Sequence, residues 1–437
     1  MKLGRFSWPL LLALSLMPIT ESPARAEAKF EAIKMKDLAS SLTVQLQWSW
    51  HAIGIDPDDN VYVVFGGMDG DSADCALFQY SAKTGEKRLI GTLSEAAKKA
   101  GTWREGERIE KGHTHLPWLD GKIFIGTMGF HDASNASPSQ MQLAAKSHGA
   151  HIMAYDPKAD KLEDLSANQP DGVFYPHRGF MCMSAWPEEK LILGLTVPQG
   201  DLLLYDPATG QPRVSVPGVP EEFGKHVTRE VVPAPNGKIY YMYSGDAYGK
   251  DPGHMYYYDT KTKQVSKCGD VDPYYWNGSV RTKDNKSIFI MTDEGYVYLL
   301  HPESDSVEKI GCLFPESERA EVMDKDGVHL FQKTHVLGMV MSADEKAIYS
   351  IPLRKRILKA EAGAREEGEK LPNGPQVPLG LYRFDIATRT SKRIADVPAE
   401  IGNGYITGTD VCDSEGNIYF ARHGGSFLGL LKVNPGE

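Results

Sequence analysis

The chain has 437 residues, 41% of them hydrophobic and 10% aromatic, enough to bury a large core. Its net charge of −10 argues against nucleic acid as the main partner, because phosphate binding needs a basic face; an anionic ligand in a locally basic pocket is still compatible. Five scattered cysteines with no CxxC spacing exclude a disulfide framework and a cysteine metal site, and although Cys268 and Cys312 sit at matching places in neighbouring repeats, buried free thiols are the expectation.

The N-terminus reads as an export signal, residues 1–26. Lys2 and Arg5 make a positive start, Trp8 to Ile19 is a short apolar run broken by Pro9 and Pro18, and Ala24-Arg25-Ala26 is an A-x-A cleavage site. The run is too short to cross a bilayer, so a periplasmic or secreted protein cleaved near Ala26 is expected, with no membrane span.

From residue 27 onward one phrase recurs seven times: a turn residue such as Asp, Glu, Asn or Gly leads into a short apolar-aromatic strand. It begins at Asp59, Gly121, Glu189, Gly237, Asn285, Glu345 and Gly416, and reads for example Gly121-Lys122-Ile123-Phe124 and Gly416-Asn417-Ile418-Tyr419. Most copies are followed by a second strand that ends in a Tyr-Asp turn, as at Tyr155-Asp156-Pro157, Tyr205-Asp206-Pro207 and Tyr258-Asp259-Thr260. A repeat of about 40 to 50 residues with four strands each is the signature of a propeller. The predicted fold is therefore all-β, a single seven-bladed β-propeller over residues 27–437, expected as a monomer. The last repeat lacks its outermost strand, and Lys29-Phe30-Glu31-Ala32-Ile33-Lys34 has the alternation to supply it, so the N-terminal strand should close the ring on the C-terminal blade.

Two insertions break the rhythm: Gly129 to Gly149 in the second blade, and the charged stretch Arg354 to Pro378 in the sixth. Long loops inside a compact domain often carry function.

In a propeller, the segments before the repeated phrase line the central channel. Histidines and arginines collect there: His51, His113, His115, His177, His226 and His335, with Arg178, Arg229 and Arg281. Convergence of titratable groups from separate blades would build a site on a rigid scaffold. His51, His177, His226, Arg281 and His335 are the substrate-binding candidates. His113 and His115 are spaced to share one side of a strand, and with His148, or with His131 or His151 from the ends of the first insertion, they could hold a divalent metal such as zinc, calcium or manganese. Tyr175, Arg178, Arg229 and Tyr243 are candidates for acid, base and anion clamp, and Asp410 is the one carboxylate of interest at such a position. GxSxG, P-loop and HExxH motifs are absent, and no facing carboxylate pair of the kind a glycosidase uses stands out.

This inventory fits β-elimination of a uronate polysaccharide. Arg or a metal neutralises the sugar carboxylate, His or Tyr takes the adjacent proton, and a second His or Tyr protonates the leaving oxygen. The arrangement of Gly112-His113-Thr114-His115-Leu116-Pro117 before the second repeat, with Gly149-Ala150-His151-Ile152 after the insertion, resembles the seven-bladed propeller polysaccharide lyases, ulvan lyases above all. The oligogalacturonate lyases are more distant, since their His-x-His falls late in the chain. The resemblance implies a His/Tyr pair, a carboxylate-neutralising arginine and a metal, with His131 and His151 facing an anionic polysaccharide or oligosaccharide. The alternatives are a non-catalytic propeller that binds glycan or protein, and a metal-dependent hydrolase or lactonase.

Overall fold

A computed structural model describes residues 27–436 apart from 70–71, 114, 131–137, 223–224, 226, 244–252, 272–275, 293–294, 316–317, 319–321, 324–328, 359–377, 403 and 424–426. Residues 1–26, where an export signal is expected, and His131 and His226 therefore lie outside the described residues.

Seven sheets of four or more strands, antiparallel except where Asp410–Val411 pairs parallel with Val340–Met341, follow one another along the chain as the blades of a propeller. The first contains Asn60–Asp69 and Ser72–Ser81, the second Lys122–Met128 and Ile152–Asp156, and the third runs in order from Gly179–Trp186 to Gln211–Val216. The fourth, fifth and sixth carry Lys238–Tyr243, Ile288–Thr292 and Ala347–Ser350 as their copies of the repeated strand. In the seventh, Lys29–Lys34 is the outermost strand and pairs antiparallel with Gly429–Asn434, from Lys29 opposite Asn434 to Lys34 opposite Gly429. The start and end of the chain thus share one sheet, as the alternation in both segments predicts. The first insertion holds a helix, Pro138–Lys146. The second opens as a strand, Leu353–Leu358, paired with His329–His335 outside the seven blades.

The repeated phrase has a physical cause at both of its ends. Asp59, Gly121, Lys190, Gly237, Asn285, Glu345 and Gly416 all have positive φ, between 53° and 87°. These hairpin turns need a left-handed residue, which Gly, Asn and Asp adopt most cheaply. In the third blade the left-handed residue is Lys190, one later than the Glu189 that begins the phrase. The aromatic that follows is buried between blades: Tyr62, Phe124, Tyr240, Phe289, Tyr349 and Tyr419 are all under 5% exposed. The Tyr-Asp turns are fixed by the carboxylate, as where Asp156 accepts from the amides of Lys158 and Ala159 at 2.9 and 3.0 Å. All five cysteines are free thiols.

A buried tyrosine needs a partner for its hydroxyl. In the last blade Asp413 accepts from the Tyr419 hydroxyl at 2.7 Å, the Asn417 side chain at 2.9 Å and the Asn417 amide at 2.8 Å. Asp56 does the same for Tyr62 and Asn60 in the first blade. Asp413→Ala strands these donors and should lower the unfolding free energy by roughly 2–3 kcal/mol, read from the denaturant midpoint at unchanged m-value.

Candidate channel site

Five of the sequence candidates meet at the propeller centre, and they arrive from different blades. His51 comes from the first blade, His113 and His115 from the second, Arg229 from the fourth and Arg281 from the fifth. Asp410 joins them from Asp410–Val411, a short strand paired parallel with Val340–Met341 of the sixth blade, and Glu230, which the sequence reading missed, joins from the fourth. His115 lies between two carboxylates: its Nε2 is 2.8 Å from Glu230 Oε1 and its Nδ1 2.9 Å from Asp410 Oδ2. Ser279 donates to the other Glu230 oxygen at 2.5 Å. The His51 ring packs against the His115 ring with centroids 4.3 Å apart. Gly338 makes room for it, since a Cβ there would collide with the Gly408 amide and stand 3.2 Å from His51 Nε2.

His51, His115 and Asp410 hold positive φ values of 68°, 54° and 66°. Left-handed backbone at non-glycine residues is costly and concentrates where function constrains the chain. At His115 it has a direct consequence. The strand Lys111–His113 ends before His115, so the alternation that would set the two imidazoles side by side does not apply. His113 instead engages the Met181 carbonyl through Nδ1 and accepts from Arg229 Nη1 at 3.1 Å through Nε2. Donation by the guanidinium to Nε2 fixes the tautomer with the proton on Nδ1. Trp50 stacks on His113, and the Lys111 ammonium sits 4.0 Å from the centre of the Trp50 ring.

The electrostatics divide the three imidazoles. Burial, helped by the neighbouring His115, pulls His51 well below the ordinary histidine value. Burial and the Arg229 charge do the same to His113. At His115 burial also pulls down, but Asp410 and Glu230 outweigh it and raise the group well above that value. Arg229 and Arg281 make no ion pair with a carboxylate among the described residues. Arg281 reaches only the carbonyls of Pro233 and Ala185, both at 3.4 Å. A cavity of about 500 Å³ adjoins this cluster, lined by His115, Glu230, Ser279, Arg281 and Asp410 together with Trp118 and Pro233.

The remaining candidates sit elsewhere. His151 is fully enclosed, with Nδ1 2.8 Å from Asp164 and Nε2 2.8 Å from Glu107, so neither nitrogen is available to a ligand. Its pKa is raised to about 9: burial opposes the rise and the two carboxylates overcome it. His148 lies against His151, 6.1 Å between ring centres, and not with His113. His177 is hydrogen-bonded to the Ser147 carbonyl at 2.8 Å, and Arg178 is paired with Asp201 at 2.6 Å. The Tyr175 hydroxyl meets Ser215, while the Tyr243 hydroxyl bonds the Gly200 carbonyl and the Val219 amide. Burial pushes both phenols up to about 12, the opposite of what a phenolate base requires. His335 closes the strand His329–His335, and its side chain is outside the described residues. The expected His113–His115–His148 ligand set is not assembled. Among the described residues the one group with ligand atoms close enough for a metal is His51, His115 and Glu230, all within 4.8 Å of one another. Glu230 had a sequence signal, its position directly after Arg229 at the start of an inner strand, but a single carboxylate there gives no hint of a partner from another blade.

No known family model matches the chain, and no curated protein does. Solved structures do. The chain is similar to the structure of U3-55K (10% identity, TM-score 0.50, covering 90% of this chain and 98% of that one). It is also similar to a chain of the mitotic checkpoint complex (7%, 0.50, 99% and 99%) and to the RRP9 WD40 repeats (11%, 0.50, 93% and 99%). At such identities the likeness establishes the fold alone: the protein is a β-propeller. No helix among the described residues is long and apolar enough to cross a membrane.

Proposed function

We propose that this propeller binds a carboxylate-bearing glycan in its central channel. The observation that carries the reading is the pair Arg229 and Arg281, two cations held deep at the channel cluster with no carboxylate ion pair among the described residues. Guanidinium is the group best matched to a carboxylate, through paired donors in one plane. The cavity beside Arg281 is lined by Trp118, Pro233 and Ile55 as well as by polar groups, a mixture suited to the apolar faces and hydroxyl edges of a sugar.

Elimination is the second reading, favoured by the His113–Arg229 contact. A uronate carboxylate would compete with His113 Nε2 for Arg229. That nitrogen can take the proton beside the carboxylate, the bonding pair left behind forms the C=C bond, and the glycosidic oxygen leaves with a proton from an acid.

Both readings are tested with one panel of uronate oligosaccharides and their neutral counterparts. Calorimetry should register binding of the acidic sugars only, and Arg281→Ala should weaken it by roughly 10- to 100-fold, the worth of a charge-assisted hydrogen bond. Rising ultraviolet absorbance would add the unsaturated product of elimination. Equal binding of neutral sugars, or no effect of Arg281→Ala, would overturn the glycan reading.

A further inference from the structure

We propose that His51, His115 and Glu230 form a divalent-metal site, suited to zinc, in which Asp410 and Ser279 orient two of the ligands. The inference goes beyond the glycan reading and does not depend on it.

Three observations point there. The first is the donor set. Two imidazoles and one carboxylate, from the first, second and fourth blades, bring ligand atoms within 4.8 Å of one another. A tetrahedral ion about 2.1 Å from each donor needs them about 3.4 Å apart, so the His115–Glu230 pair, now 2.8 Å apart, opens slightly while the wider spacings, at most 4.8 Å, close, and two histidines with one glutamate is a set zinc accepts with a coordination position left open. The second is His51. It is 1% exposed, and neither ring nitrogen has a well-aligned hydrogen bond among the described residues, the Gly408 backbone being the polar group close enough to act on the ring. A buried imidazole with so little polar contact is costly, and a metal at one nitrogen removes much of that cost.

The third is the surroundings of the other two ligands. Histidines that bind metal through one nitrogen commonly present the other to a carboxylate. His115 has this arrangement: Nε2 is beside Glu230, and Nδ1 is 2.9 Å from Asp410. Glu230 offers Oε1 on the His115 side, while Oε2 accepts from Ser279 at 2.5 Å. Both ligands are therefore held from behind by groups that would not themselves touch the ion. The left-handed backbone at His51, His115 and Asp410 is the strain accepted to aim them. His115 and Glu230 also line the cavity, which would give a ligand in the channel a route to the open position.

The test uses the full chain, stripped of metal by dialysis against a chelator and then titrated with zinc and with cobalt(II). Wild type should take up one ion per chain, and the cobalt form should show the visible absorption bands of a low-coordinate nitrogen–oxygen site. His51→Asn, chosen because Asn tolerates the left-handed backbone, and the isosteric Glu230→Gln should each weaken zinc binding by about 100-fold or more while far-ultraviolet circular dichroism stays unchanged. Asp410→Asn, acting from behind His115, should weaken it about 10- to 100-fold. His148→Ala should bind as wild type. The proposal is overturned if wild type takes up neither ion, if Glu230→Gln binds zinc as wild type does, or if His148→Ala is the variant that loses it. The readout is the metal itself, without sugar, so its failure is separate from a failure of the glycan reading.

Discussion

A chain lacking residues 27–35 should no longer yield a stable soluble monomer. The strand Lys29–Lys34 pairs along its whole length with Gly429–Asn434, the Met35 amide donates to the Leu428 carbonyl at 2.9 Å, and the Lys87 ammonium caps the Lys34 carbonyl at 2.8 Å. Ile33 is 5% exposed and Met35 wholly buried. Loss of those two side chains alone removes roughly 3–6 kcal/mol of burial, comparable with the whole stability of many domains. The deletion also bares Gly429–Asn434 as an unpaired edge, a template for aggregation. Size-exclusion chromatography and denaturant unfolding measure both effects. Ile33→Asp is the milder companion, and it should lower the unfolding midpoint without the edge being exposed. A truncated protein that stays monomeric and unfolds at the wild-type midpoint would mean that the shared sheet contributes nothing to stability.

The second large effect is expected at His151. It holds a proton between Glu107 and Asp164, with Thr102 donating to the same Asp164 oxygen at 2.5 Å. His151→Leu leaves two buried carboxylates facing each other without a cation and should destabilise the fold by about 3–5 kcal/mol near neutral pH. The wild-type pH dependence has a definite sign. His151 binds its proton more tightly in the folded state, with its pKa raised from 6.5 to about 9. Its contribution is therefore complete below pH 6.5 and is lost as pH rises through about 9, an amount on the order of 3 kcal/mol. Asp164 runs the other way. Burial works against its charge, the His151 contact prevails, and its pKa lies below 3.8, so its contribution is present above that value and is lost as pH falls through the folded pKa. The two describe one interaction and do not add. Unfolding from pH 5 to pH 10 should show the loss in wild type and none of it in His151→Leu. A role for His151 confined to substrate would leave the unfolding curves of the two proteins the same.

The outcome at His151 also marks how far the sequence could be read. The resemblance to propeller lyases implied a substrate-facing histidine there, and the residues around it, Gly149-Ala150-His151-Ile152, are compatible with a channel position. What encloses it is Glu107, 44 residues earlier and outside any repeated strand, together with Asp164 at the end of the second blade. Nothing in the local sequence pairs those three residues. The His-x-His at His113 and His115 was similarly legible as a spacing and misleading as a geometry, because the strand stops between them.

The seven repeats, their turns and the strand shared by the two ends of the chain were all determined by the sequence alone. Each rests on a local rule: alternation of buried and exposed side chains, residues that accept a left-handed turn, and an outermost strand missing from the last repeat. So was the gathering of histidine and arginine at the starts of the inner strands. Which of those groups meet was decided only by the tertiary structure. His51, His115, Glu230 and Asp410 come from four blades and span 360 residues, and they are brought together by the rotation of successive blades around the channel and by backbone strain at three of the four. Contacts across that separation depend on the summed twist and packing of every blade between them, which no single segment of the sequence encodes.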